Sequence, residues 1–172
     1  MTRPLFVLDH NFPKMAISPS VPEVEFRMLQ DIDPWLTSGV ADWATLLGLS
    51  QHKPVEIHGF VTCDDTMLNL SRTLPVLMQT ELTLLVCANV GHDPIAATGL
   101  VLLHAPYVAA RWTAHPELVV VRHPGQKTNE LDDWIEKLSR RAKMDRNEYL
   151  RANELSRAEL RPLKDWYVPT TD

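Results

Sequence analysis

Glycine is scarce in this chain, six residues in 172, and nowhere do they gather into a loop that could cradle a phosphate. Cysteine is scarcer still. Cys63 and Cys87 both sit in apolar, strand-like runs, which predicts small buried thiols rather than a disulfide. No stretch approaches the ~18–20 uninterrupted apolar residues of a membrane span. Met1-Thr2-Arg3-Pro4 leads into the first apolar run without a signal-peptide core, so a cytoplasmic location and no membrane partner are expected. Basic residues are outnumbered, 17 against 22 acidic, for a net charge of −5. That speaks against a general nucleic-acid binder with a basic face, but not against an enzyme whose acidic site holds metal ions. The seven histidines are scattered, and neither they nor the cysteines show zinc-ligand spacing.

What is present is a series of short apolar runs that end in acids. Leu5-Phe6-Val7-Leu8, bounded by Pro4 and Pro13, reads as a strand buried on both faces, as at the centre of a parallel sheet. It ends in Asp9, His10 and Asn11. In an open α/β sheet, ligands bind beyond the carboxyl ends of the strands, where Asp9 would stand. The competing reading makes Asp9 a turn or capping residue. Ile57 to Asp65 repeats the theme, with Asp64 and Asp65 in succession after the apolar run. Further strands are read at Leu82–Cys87 and Leu118–Val121, the last closed by His123-Pro124-Gly125.

Helical segments alternate with these runs. A short helix is expected from about Glu23 to Leu29, and another start at Asp33 (cap) and Pro34 (first position). Asp42 falls in the first turn or at the cap of a helix that Gly48 and Pro54 close, where the dipole favours an anion. A helical turn around Met67 to Leu70 should stop at Pro75. Asp93 and Pro94 open a helix running to about His104, which Pro106 kinks or ends. Apolar strands alternating with helices imply βαβ units and a mostly parallel sheet. From Thr128 onward, Asn129-x-x-Asp132, Asp145-x-x-Glu148 and Ser156-x-x-Glu159 read as three helix starts of capping-box type. Leu131, Trp134, Ile135, Leu138 and Ala142 form one apolar helix face, and Lys137, Arg140, Arg141 and Lys143 cluster towards its end. A helical extension folded back on the sheet is favoured over a basic face for RNA or a partner.

If the strands are neighbours, Asp9, Asp64, Asp65, Asp42 and Asp93 supply oxygens to one pocket. Carboxylates so placed repel unless a cation neutralises them. Hard oxygen ligands point to Mg²⁺ or Mn²⁺, whose usual task at such a site is phosphodiester chemistry.

Val7-Leu8-Asp9-x-Asn11-x-Pro13 resembles the "LLDENLP" opening of PIN-like proteins. Val61-Thr62-Cys63-Asp64-Asp65-Thr66-Met67 resembles their "VTxDxDF" segment, with Met67 in place of Phe. Ala41-Asp42-Trp43-Ala44-Thr45-Leu46 is similar to their "SDEEIL" helix. Order and spacing agree over roughly the first 70 residues. The resemblance implies a PIN-like three-layer α/β/α sandwich over residues 1–125, with a helical C-terminal extension over 126–172. It implies a metal-dependent ribonuclease, a Mg²⁺- or Mn²⁺-dependent hydrolase that cuts RNA as the toxins of toxin–antitoxin pairs do. The partners it implies are RNA and an antitoxin-like protein, with a homodimer left open. Asp9, Asp42 and Asp64 are then the metal-binding carboxylates, with Asp65 and Asp93 as further candidate metal ligands and Thr62 and Asn11 shaping the site. Two departures stand. Glu23 and Glu25 fall in no recognisable motif for the family's early acid. Asp93-Pro94-Ile95-Ala96-Ala97-Thr98 resembles the family's "DAxIAAT" helix start but comes after the Thr-x-Asp strand, so Asp42 and Asp93 compete for the third carboxylate. A PIN-like module that binds without cutting is the alternative. A haloacid-dehalogenase-type phosphatase is disfavoured by Asn11, and a receiver domain by an acid pair that comes after Asp9.

Overall fold

The computed structural model describes residues 3–13, 21–37, 39–90, 93–122 and 130–169. Five short segments, apolar apart from Glu25 and Arg27 in the second and Glu117 at the start of the last, become parallel strands: β1 (Leu5–Leu8), β2 (Glu25–Met28), β3 (Gly59–Thr62), β4 (Thr83–Cys87) and β5 (Glu117–Val121). Their order across the sheet is β2-β1-β3-β4-β5. Strands β1, β3 and β4 are buried at every position, as continuous apolar runs covered on both faces require.

Alternate side chains of each strand feed two cores. Leu5, Val7, Phe60, Leu84 and Val86 point to one side and pack with α2 (Asp42–Ser50), α3 (Thr73–Leu77), α5 (Leu131–Ala142) and α6 (Arg146–Asn153). Phe6, Leu8, Val61, Leu85 and Cys87 point to the other and meet α4 (Pro94–Ala110). The C-terminal helices share the first core through Trp134, Ile135, Leu138 and Tyr149. Burial of one such side chain contributes about 1.5–3 kcal/mol, so the four together outweigh the single part-buried Arg72–Glu159 bridge in holding this segment down. The 125/126 boundary and the His123–Gly125 closure lie outside the described residues.

Several expectations are corrected. The helix expected over Glu23–Leu29 is instead the edge strand β2, paired with β1 in the register Leu5↔Glu25 to Leu8↔Met28, and a one-turn helix α1 comes after it (Leu29–Ile32). Glu25 and Arg27 favour helices, but Phe26 and Met28 alternate with them, and pairing overrides the local preference. Gly48 lies inside α2 rather than closing it. A Cβ there would come within 2.7 Å of Leu36 Cδ2, so the helix takes glycine for close packing. Pro75 is the third residue of α3, where the N–H it lacks has no intrahelical acceptor to lose. Pro106 neither ends nor shortens α4, which continues to Ala110. The carbonyl it strands belongs to Leu102, on the solvent side. Helix α5 starts one residue later than its motif suggested, with Glu130 and Asp133 forming the capping box. Ser156 and Glu159 make capping-box hydrogen bonds, yet they open only a turn, because Pro162 disfavours helix in the residue before it. Asp33 does act as a cap, accepting from Trp35 N–H, but the element it opens is the 3₁₀ turn Pro34–Thr37.

Both thiols are free, as expected, but only Cys87 is buried; Cys63, just past the end of β3, is part-exposed. The hydrogen bond it shares with Cys63, and then burial, push the Cys87 thiol well above its ordinary range. Among the described residues, no helix is long and apolar enough to cross a membrane.

Candidate functional site

The chain passes from β1 to β2 on one side and then returns to lay β3 on the other side of β1. The direction of winding reverses between β1 and β3, and the carboxyl edge at such a reversal is where α/β sheets open a ligand crevice. Asp9 leaves β1 there, its N–H donated to the Val61 carbonyl at 2.8 Å, and Asp64 leaves β3 two residues past its end.

Thr62 joins them. Its fully buried hydroxyl donates to Asp9 Oδ2 at 2.8 Å and accepts the Asp64 N–H at 3.0 Å. One β-branched side chain thus fixes two strand ends that lie far apart in sequence. Asp9 is only 13% exposed, and its other oxygen faces His10 Nδ1 at 2.8 Å. Asp64 is exposed and uses Oδ1 to cap the 3₁₀ turn Asp65–Asn69, accepting from Thr66 N–H at 2.9 Å. Its Oδ2 takes no hydrogen bond among the described residues. The turn-forming role anticipated for such acids is therefore real, but for Asp64 it engages one oxygen of two.

Asp42 is the third member. It opens α2, half-buried, and no hydrogen-bond donor reaches its carboxylate among the described residues. Burial holds its pKa above the ordinary carboxylate value, and the charges of Asp64 and then Asp9 push it further, with His10 pulling weakly the other way. The helix N-terminus favours an anion by ~0.3–1 kcal/mol and so works against both.

The structure does not bring the remaining acids into this group. Asp93 caps α4, its Oδ1 accepting from Ile95 N–H at 2.9 Å and Ala96 N–H at 3.1 Å, and its charge is not among those acting on Asp42. Asp65 opens the 3₁₀ turn, and Asn11 is exposed in the turn after β1.

Two contributors had no signal in the sequence. His10 sits beside Asp9 with no spacing to mark it. The start of α2 lacks a side-chain cap at Ala41, and its N–H donates instead to the Tyr167 hydroxyl at 3.0 Å. Tyr167 also meets the Trp43 ring edge-on at 5.3 Å, Trp166 stacks on Trp43 at 6.1 Å, and Arg72 lies over it. A stretch 126 residues away thereby holds the turn that carries Asp42.

Among the described residues, no three His, Cys, Asp or Glu side chains are placed to hold a metal ion between them. The donor set nonetheless suits a hard cation. Mg²⁺ keeps several waters and takes one or two carboxylates, and the unrelieved charge on Asp42 is what a cation would neutralise.

In metal-free buffer at neutral pH, Asp42→Asn should stabilise the protein by about 0.5–2 kcal/mol. A carboxyl whose folded pKa is raised binds protons more tightly in the folded state, so its destabilising effect is present above that pKa and fades as pH falls through it. The gain should therefore shrink on acidification. Urea melts at two pH values read both, and an Asp42→Asn variant less stable than the parent at neutral pH would contradict the repulsion.

No family model matches this chain, and neither the curated proteins nor the solved structures contain a match.

Proposed function

We propose that the chain is a PIN-like, metal-dependent ribonuclease whose site is formed by Asp9, Asp64 and Asp42. The observation that carries the reading is the Thr62 hydroxyl, which ties the aspartates ending two adjacent parallel strands at the reversal point of the sheet. Further support comes from Asp42, whose carboxyl is held above the ordinary range first by burial and then by the nearby charges of Asp64 and Asp9. The resemblance of residues 7–13, 41–46 and 61–67 to PIN-like motifs falls on the same three positions. Asp93, the competing third carboxylate, caps a helix instead.

Asp9 and Asp64 would hold a Mg²⁺ or Mn²⁺ ion, whose charge would also offset that of Asp42, and the ion would supply Lewis acidity towards a phosphodiester and lower the pKa of an attacking water. The protein's own part is positioning. Thr62 fixes the Asp9 carboxylate, the 3₁₀ turn fixes one oxygen of Asp64, and the clamped start of α2 presents Asp42 in a half-buried setting that disfavours stray water. In this reading residues 1–125 form the catalytic domain, and an antitoxin-like protein is a candidate partner.

A second reading, a PIN-like module that binds without cutting, is favoured by one observation: no three acids among the described residues stand ready to share one ion. The test is incubation of the purified chain with single-stranded and structured RNAs. The nuclease reading expects cleavage with Mn²⁺ that a chelator stops. No cleavage across the panel, with RNA or protein binding insensitive to chelator, would establish the binding module instead.

A further inference from the structure

Strands β3 and β4 run side by side from Gly59↔Thr83 to Thr62↔Val86, and the next pair in that register is Cys63 with Cys87. Both side chains continue the row begun by Val61 and Leu85, on the face of the sheet that α4 covers. The two thiols share a hydrogen bond. The chain's two cysteines are thus brought together by strand order.

Their surroundings differ. Cys87 is fully buried and held in β4, paired with Val121 of β5, whereas Cys63 is part-exposed just past the end of β3. A small oxidant reaches the second sulfur and not the first. Adjacent strands lie about 4.7–4.9 Å apart, inside the ~4.4–6.8 Å between Cα atoms that a disulfide spans. Side chains in register stand parallel, so their Cβ atoms keep that spacing, slightly beyond the ~3.5–4.5 Å that the bond prefers. Closing it therefore requires Cys63 to move towards Cys87. Cys63 also stands between Thr62 and Asp64, and the hydrogen bond from the Asp64 N–H to the Thr62 hydroxyl spans it.

We propose that Cys63 and Cys87 form a reversible oxidation site for hydrogen peroxide, whose disulfide unseats the Asp64 turn from Thr62. Peroxide oxidises the Cys63 thiol to a sulfenic acid as its O–O bond breaks and one water leaves. The Cys87 sulfur then attacks the Cys63 sulfur, and the sulfenic hydroxyl departs with the Cys87 proton as a second water. The two thiols supply the two electrons that reduce one peroxide. A disulfide held off its preferred spacing is readily reduced, so a thiol reductant reopens it by exchange. The inference does not depend on the nuclease reading; on that reading, the same movement displaces a metal-holding carboxylate.

The full chain, treated with a small excess of hydrogen peroxide and then freed of it, tests this by mass spectrometry and by NMR amide exchange. The expected product is a monomer lighter by two hydrogen atoms. Trypsin cuts after Arg72, between the two cysteines, so the peptides bearing them should remain linked until reductant is added. In the oxidised chain the Asp64 amide should exchange about tenfold faster, as the loss of one hydrogen bond allows, while the amides of β1 and β4 keep their protection. Dithiothreitol should restore the slow exchange. Cys63→Ser, which leaves the buried Cys87 in place, should show neither change. Overoxidation of Cys63 with Cys87 left as a thiol, a bond between two chains instead of within one, or a closed bond that leaves Asp64 exchange unaltered would overturn the proposal.

Discussion

Asp9→Asn should lower Mn²⁺-dependent RNA cleavage by about 10²-fold or more, near 3 kcal/mol of transition-state stabilisation, while leaving the fold intact. The new side chain is almost isosteric, and its amide oxygen can still accept the Thr62 hydroxyl. What it removes is the charge. Asp64→Asn should behave alike, and calorimetric titration with Mn²⁺ should show weakened binding in both. Thr62 separates positioning from bulk. Thr62→Val keeps the shape but deprives Asp9 Oδ2 of its donor and the Asp64 N–H of its acceptor, so Mn²⁺ affinity should fall about 10–100-fold, as for other groups that orient metal ligands. Thr62→Ser restores the hydroxyl and should restore most of the affinity. Unchanged Mn²⁺ binding in both aspartate variants would remove the metal site altogether.

Gly59→Ala should be among the most damaging single-methyl additions in the protein. Its Cβ would lie 2.4 Å from Phe6 Cε1, 2.6 Å from Phe6 Cδ1 and 2.9 Å from the Thr83 carbonyl oxygen. Phe6 is completely buried, and the Thr83 oxygen belongs to the backbone of β4, so neither neighbour can swing aside. Overpacking of this kind costs about 1–3 kcal/mol, and the fixed neighbours argue for the upper end. For a chain of this size that lowers the melting temperature by roughly 6–12 °C. Gly99→Ala adds the same methyl to a glycine in open space and serves as the control. Equal melting of Gly59→Ala and its parent would mean that β1 and β3 do not approach as described.

Strands β1, β3 and β4 were legible in the sequence because burial on both faces leaves an uninterrupted apolar run. Strand β2 was not. At the sheet edge Glu25 and Arg27 reach water and join in an ion pair, so the run reads as an amphipathic helix until β1 is placed beside it. Caps behaved similarly. Asp93 and Asp145 announce their helices because an N-cap needs only its own next three residues. Ser156 forms the same local bonds without a helix, since Pro162 lies beyond the window in which the motif is read. At the candidate site, the strand-end positions of Asp9 and Asp64 come from local pattern, and their adjacency from strand order alone. The choice between Asp42 and Asp93 had no local answer. Both open helices, and only the packing of α2 against the tail and of α4 against the far face of the sheet separates them.

The clamp on α2 also has a bearing on timing. Synthesis runs from the N-terminus, and all five strands are made well before Tyr167. Until that residue emerges, the Ala41 N–H has no hydroxyl to meet, and Trp43 lacks the rings that pack on it. The strands therefore exist for some time before the Asp42 corner can be fixed. A nascent chain of this design would have its Asp42 corner held only once the segment carrying Tyr167 has been made and has packed, which on the nuclease reading delays assembly of an RNA-cutting site until well after its strands exist.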